Sequence, residues 1–192
     1  KKALISDPNN NTYLSNLIFL QMNLNYWPFE IDTKKETIFD YNILDKIDVP
    51  FVSIVSSDDP KLHQKIAQNY IKKMLTSESE INYKFNQKNH KKLKIGYFSS
   101  DFTTHPVSQL LVELIETHDR SKFEVIAFSL KKQNNKDPLK RRLLSSFDKF
   151  IEVENLETKE IVNMSRSIPL DIAVDLNGHT KFSRTEIFLK RV

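Results

Sequence analysis

Cysteine is absent from the 192 residues. Its absence excludes a disulfide scaffold, a thiolate zinc site and a cysteine nucleophile, and it fits a reducing compartment; a cytoplasmic location is expected. Glycine is almost as scarce, with only Gly96 and Gly178 in the whole chain. In so glycine-poor a sequence they mark places where backbone must turn tightly or pass close to something. Each lies where an apolar run meets a polar loop, in KIGYFSSDFTTHP and DIAVDLNGHT, and chemistry is to be sought there. Long hydrophobic runs are also missing. No stretch approaches the ~18–20 apolar residues of a membrane span, and the N-terminal KKALISDPNNN lacks the apolar core of a signal peptide. A chain without a membrane partner is expected, long enough to bury a core without disulfides.

Charge is mixed rather than one-sided: 29 basic residues against 25 acidic ones leave a net +4. A nucleic-acid binder concentrates its basic residues on one face and often interleaves aromatics. Here the densest basic run, Lys131-Lys132 through Lys140-Arg141-Arg142, is split by Gln133-Asn134-Asn135 and Asp137-Pro138. It reads as a solvated loop and helix face, and no nucleic-acid partner is expected.

Periodicity divides the chain into an α-helical segment over residues 1–90 and an alternating strand and helix segment over 91–192, with the border in Lys84–Lys92. In the first segment a helix ends near Ile5. A second starts near Thr12, with Leu14, Leu17, Ile18 and Met22 on one face. A third follows Asp59-Pro60, an N-cap and a first-turn proline. Its stripe is Leu62, Ile66, Tyr70, Ile71, Met74 and Leu75, with His63 beside it as an ordinary helix histidine.

From Leu93 the period changes. Strands are predicted at Leu93–Phe98, Phe123–Leu130, Lys149–Val153 and Leu170–Leu176. Helices are predicted at Val107–Thr117, Asp137–Ser146 and Thr158–Ser167, with a last one starting near Ser183. Strand and helix in this alternation imply right-handed crossovers and a parallel sheet covered on its faces, half of a doubly wound α/β domain. Ligands of such sheets sit at the carboxyl ends of the strands, and both glycine motifs lead to such ends.

Two segments carry a family resemblance: Gly96-Tyr97-Phe98-Ser99-Ser100-Asp101-Phe102-Thr103-Thr104-His105-Pro106, and Asn177-Gly178-His179-Thr180. Together they resemble the O-GlcNAc transferase family, whose bacterial members carry tetratricopeptide repeats. Lys122-Phe123-Glu124-Val125 has the expected place between them. Upstream, VPFVSIVSSDDPKLHQKIAQNYIKK is similar to the helical connector, and KKALISDPNNNTYLSNL to the end of the last repeat.

The resemblance implies the Rossmann-like first lobe of a two-lobed GT-B fold. It also implies an inverting glycosyltransferase that moves N-acetylglucosamine from UDP-GlcNAc onto Ser or Thr of protein or peptide acceptors; some relatives transfer other hexoses, or transfer to Asn. No cofactor and no metal are expected, since positive side chains and helix N-termini neutralise the leaving diphosphate in this fold type. The same resemblance makes His105 the catalytic candidate, as general base or as a contact to donor and acceptor. Asp101 either touches substrate or accepts loop N–H bonds that aim His105. Asn177, Gly178 and Thr180 fit a tight loop beside the sugar or acceptor, through turn chemistry or substrate contact. His179 reads as surface or supporting, and Ser99 and Ser100 as either strand-end partners or ligand contacts.

Where the sequence stops, at Val192, the family continues into the rest of the first lobe and a second lobe that is expected to hold most of the UDP pocket. A two-lobed site does not close with one lobe, so these residues alone are expected to be inactive. Two other classes compete. One is a non-catalytic adaptor with a helical binding segment and an α/β platform. The other is a generic nucleotide-binding domain such as a methyltransferase, which would want a glycine-rich turn that Ser99–Thr104 does not provide.

Overall fold

The computed structural model describes residues 2–25, 31–32, 37–38, 46–74, 91–132 and 136–190. The chain forms two compact units, Lys1–Thr76 and Ser77–Val192. Residues 84–90 of the expected border, and Leu75 of the third helix's stripe, lie outside the described residues.

In the first unit, α1 spans Lys2–Ser6 and α2 spans Asn11–Asn23. The Asn10 side chain accepts from the Tyr13 N–H at 3.0 Å, supplying one of the partners that a helix start lacks. Leu14 and Ile18 are buried in a small core with Leu4, Ile47, Val52 and Ile66, and Leu17 and Met22 pack against its edge. Short strands β1 (Ile31–Asp32) and β2 (Thr37–Ile38) pair antiparallel, a departure from the wholly helical reading of this region. Two-residue strands show no periodicity, and only the β-branched Ile31, Thr37 and Ile38 hint at them. A further helix, α3 (Pro50–Ser56), precedes α4 (Pro60–Met74). Asp59 caps α4 as expected, accepting from the Lys61 N–H at 2.9 Å. Among the described residues of the α4 stripe only Ile66 is buried. His63 shares a hydrogen bond with the Ser57 carbonyl at 2.8 Å, an ordinary structural contact.

The second unit is a four-stranded sheet in the order β5-β4-β3-β6, every pair parallel. Its strands are β3 (Leu93–Ser99), β4 (Phe123–Ser129), β5 (Lys149–Glu152) and β6 (Ile172–Asp175). The connecting helices are α5 (Pro106–Thr117), α6 (Pro138–Ser146) and α7 (Thr158–Ser167), and the short α8 (Glu186–Leu189) follows β6. Alternation along the strands sorts two cores. Ile95, Tyr97, Val125 and Ala127 pack with Leu111, Val112 and Ile115 of α5 and Leu143 of α6. Phe98, Ile126 and Phe128 pack with Ile161 and Val162 of α7 and Ile187 of α8. Parallel strands covered on both faces read as continuous apolar runs, as β3 and β4 do. Phe98 and Phe128, partners in register, stack at 4.3 Å with no solvent exposure. Each such ring contributes roughly 2–3 kcal/mol through burial.

Gly96 sits within β3. A Cβ there would lie 2.5 Å from Leu170 Cδ1 and 3.2 Å from Phe128 Cε2. Its close approach is thus to core side chains, a correction to the expectation that both glycines mark chemistry. Leu170 lies outside β6, which is shorter than expected; at its start the Lys94 N–H donates to the Asp171 side chain at 2.7 Å, and Leu170 packs under Gly96. The basic run is also less solvated than expected: Lys140 is 1% exposed and its ammonium donates to Glu152 Oε1 at 2.7 Å.

The chain leaves β3 toward the α5 and α6 face, whereas β6 arrives from α7 on the other face. The strand order therefore reverses between β3 and β6. In open parallel sheets the crevice at such a reversal is where ligands bind.

Candidate functional site

Two loops meet at that crevice, and one side chain joins them. Asn177, 5% exposed, follows β6 by two residues. Its Oδ1 accepts from the Ser100 N–H at 2.7 Å, across 77 residues of sequence. Its amide donates to Ser100 Oγ at 2.9 Å, Asp101 Oδ2 at 3.0 Å and Thr180 Oγ1 at 3.2 Å. An asparagine is the side chain that can do this, because it offers an acceptor and donors on one planar group.

Asp101 is held from several sides. Ser100 Oγ donates to Oδ1 at 2.9 Å, the Asp101 N–H donates to Ser99 Oγ at 3.0 Å, and Ser108 Oγ of α5 donates to its carbonyl at 2.5 Å. The Asn177 loop is fixed equally. Asp175 Oδ1 accepts from the N–H groups of Asn177 and Gly178 at 2.9 and 3.0 Å. Gly178 adopts φ +54, the left-handed region that glycine enters at least cost. Thr180 Oγ1 donates back to the Asn177 carbonyl at 2.9 Å, and Thr185 Oγ1 donates to the Gly178 carbonyl at 2.8 Å. Sequence reasoning missed Asp175, although an aspartate two residues before Asn-Gly is a recognisable turn signal.

His105 is the N-cap of α5, ahead of Pro106. Its Nδ1 accepts from the Val107 N–H at 3.3 Å and lies 3.9 Å from Asp101 Oδ2. The ring is 42% exposed at its side chain. An Nδ1 that accepts an N–H leaves the proton of the neutral imidazole on Nε2, which is then a hydrogen-bond donor. For Nε2 to act as a base instead, Nδ1 must carry the proton. That requires giving up Val107 and turning toward Asp101.

A second carboxylate unforeseen at this site grips the loop before His105. Asp137 Oδ2 accepts from Thr103 Oγ1 at 2.5 Å and from the Thr104 N–H at 2.6 Å. Its Oδ1 accepts from Thr104 Oγ1 at 2.9 Å and from the N–H groups of Leu139 and Lys140, at 2.8 and 3.2 Å, which start α6. The Thr103 hydroxyl first, then the Thr104 amide, hold its carboxyl well below the usual carboxylate range. Asp137-Pro138 is legible as a helix start, but its grip on a loop 33 residues earlier is not.

The structure thus brings Asp101, Asn177 and Thr180 into one hydrogen-bonded cluster, with His105 beside it and Gly178 shaping its loop. His179 is half-buried in the same loop. Among the described residues, no group of three or more His, Asp or Glu side chains is arranged to hold a metal ion, and no helix is long and apolar enough to cross a membrane.

Comparison with known proteins bears on the family and the fold. The model of Glycosyl transferase family 41 matches residues 56–192. A probable UDP-N-acetylglucosamine-peptide N-acetylglucosaminyltransferase of Arabidopsis thaliana is 35% identical over 98 residues, 51% of this chain and 10% of that protein. The UDP-N-acetylglucosamine-peptide N-acetylglucosaminyltransferase of Caenorhabditis elegans is 31% identical over 109 residues, 56% of this chain and 9% of that protein. A solved structure of a mutant O-GlcNAc transferase from Thermobaculum terrenum superposes with a TM-score of 0.66 at 25% identity, covering 98% of this chain and 37% of the other. The chain therefore spans only about a tenth of the curated relatives.

Proposed function

This chain belongs to glycosyl transferase family 41, and from that membership we propose that the intact protein transfers N-acetylglucosamine from UDP-GlcNAc to serine or threonine hydroxyls of polypeptides, with inversion. The second unit, through β3, β6 and the loops after them, forms one wall of the site. The observation that carries the reading is the union of the two family segments through Asn177 at the strand-order reversal. Were those segments family marks without a shared task, nothing would require them to meet at the crevice where such sheets bind ligands.

In the transfer, the acceptor hydroxyl oxygen bonds to the anomeric carbon as the bond to the diphosphate oxygen breaks; the hydroxyl proton passes to an oxygen of the departing diphosphate or to water, and negative charge builds on the leaving oxygens. The arrangement suits His105 as a contact to that charge rather than as the base. Its Nε2–H is a donor, and it stands at the positive end of α5, where negative oxygens are stabilised. Asp101 and Asn177 hold the loops so that this donor is in place before the ligand arrives.

The test is direct. The intact natural polypeptide containing these residues is given UDP-GlcNAc and a peptide acceptor, and the product is read by mass spectrometry and by the NMR coupling at the new anomeric centre. A β-linked sugar on Ser or Thr is expected, and His105→Ala should lower turnover by roughly a hundredfold. Absence of transfer from any UDP-hexose would overturn the assignment. Full turnover in His105→Ala would remove His105 from it.

A further inference from the structure

The loop that delivers His105 is pinned at its start and at its end. Phe102 is fully buried, with its ring edge-on to Phe147 and Phe150 at 5.5 Å each. At the other end Pro106 begins α5. Between them, Thr103 and Thr104 set where the His105 ring points. Both donors of Thr104, its N–H and its hydroxyl, end on the Asp137 carboxylate, as does the hydroxyl of Thr103.

We propose that Asp137 is a positioning residue for His105: by holding Thr103 and Thr104 it fixes the loop so that Nδ1 meets the Val107 N–H and Nε2–H faces the crevice. This rests on the role given to His105 above. It goes beyond capping, because one oxygen of Asp137 is given to the loop. Oδ1 serves the start of α6, through Leu139 and Lys140, and takes the Thr104 hydroxyl as well. Oδ2 serves only the loop among its described partners.

That division makes Asp137→Asn a discriminating substitution. An asparagine oxygen in the place of Oδ1 keeps the α6 cap, since Asn caps helices about as well as Asp. Its amide nitrogen then stands in the place of Oδ2. The Thr103 hydroxyl can rotate to accept from it, but the Thr104 N–H cannot, and two donors face each other. Turning the amide over restores the loop bond only by losing the cap.

The experiment measures amide hydrogen exchange, imidazole 15N shifts and turnover on the intact polypeptide, for wild type and Asp137→Asn. Exchange at Thr104 should quicken by about ten- to hundredfold while the amides of α6 stay protected. The His105 shifts should move from a single Nε2–H tautomer toward a mixture, and kcat should fall about tenfold with KM for the sugar nucleotide within about twofold. Unchanged Thr104 exchange and unchanged His105 shifts would overturn the proposal. So would loss of protection in α6, which would mark Asp137 as a cap alone, or a loosened loop with wild-type kcat. If wild type transfers no sugar, the glycosyltransferase reading fails by itself, and the exchange and tautomer results still decide the loop.

Discussion

Replacing Asn177 by aspartate changes one atom group and reverses one interaction. The retained oxygen still accepts from the Ser100 N–H, but an acceptor now stands where the amide donated to Asp101 Oδ2 at 3.0 Å. Two carboxylates at that separation repel by about 5 kcal/mol at an effective dielectric near 20. Binding one proton at pH 7 costs a carboxyl of ordinary pKa (about 3.9) about 4 kcal/mol. Protonation is the cheaper escape, so the pair keeps a shared proton and donates it across the gap in place of the lost N–H.

The native state of Asn177→Asp therefore binds a proton that the unfolded chain releases. Its proton affinity is raised on folding, so stability is fully present below the unfolded value and falls as pH rises, by at most about 1.4 kcal/mol per unit. The deficit against wild type should approach about 4 kcal/mol at pH 7 and shrink to about 1–2 kcal/mol at pH 5. Urea denaturation followed by circular dichroism at several pH values measures it. Asn177→Ala serves as the control, with a loss of about 1–3 kcal/mol from the hydrogen bonds to the Ser100 N–H and the Asp101 carboxylate, and little change in that loss between pH 5 and pH 7. An aspartate variant with the same deficit at pH 5 and pH 7 would refute the geometry assigned to this cluster.

Gly96→Ala should cost about 1–2 kcal/mol: overpacking against Leu170 and the stacked Phe128, less the gain from a stiffer unfolded chain. Combined with Leu170→Ala, whose own cavity costs about 2–5 kcal/mol, it should be less harmful than the sum, and strict additivity in denaturation would remove the contact as its cause. Glu152→Ala should cost about 1–3 kcal/mol by removing the carboxylate that accepts from the buried Lys140 ammonium, less than for a fully buried pair because Glu152 is half exposed. Lys140→Met should be near neutral, since it removes the charge along with its need for a partner; equal losses in the two variants, measured by thermal denaturation, would contradict that account.

The elements were legible where local chemistry and tertiary packing agree. Helix α7 runs over the residues the sequence predicts, because Glu157 and Glu160 form a reciprocal capping box at its start and its apolar positions face one core. Strand β6 is shorter than its apolar run: Leu170 fills the space under Gly96, and the Asp171 side chain takes the Lys94 N–H at the strand's edge. In the site, the Asp101, His105 and Asn177 segments were found through family resemblance, and their residue chemistry left open which were structural. The hydrogen bonds from Asn177 to Ser100 and Asp101, and from Thr104 to Asp137, span 33 to 77 residues. No local pattern encodes such partners; only the strand order brings them within reach.

The two glycines separate two meanings of a rare residue. Gly96 is required by volume, since a methyl group would enter the space of Leu170 while its strand geometry would accept any residue. Gly178 is required by conformation, since a Cβ would meet nothing within 4 Å but the backbone stands at φ +54. Neither glycine supplies a reacting group. Gly178 lets the Asn177 loop close onto Asp175, so that the amide faces Ser100 and Asp101. Gly96 lets Leu170 pack beneath β3, immediately before the strand that carries the Asn177 loop to the crevice. Scarcity of glycine thus located the backbone constraints, and the chemistry lies in the side chains those constraints aim.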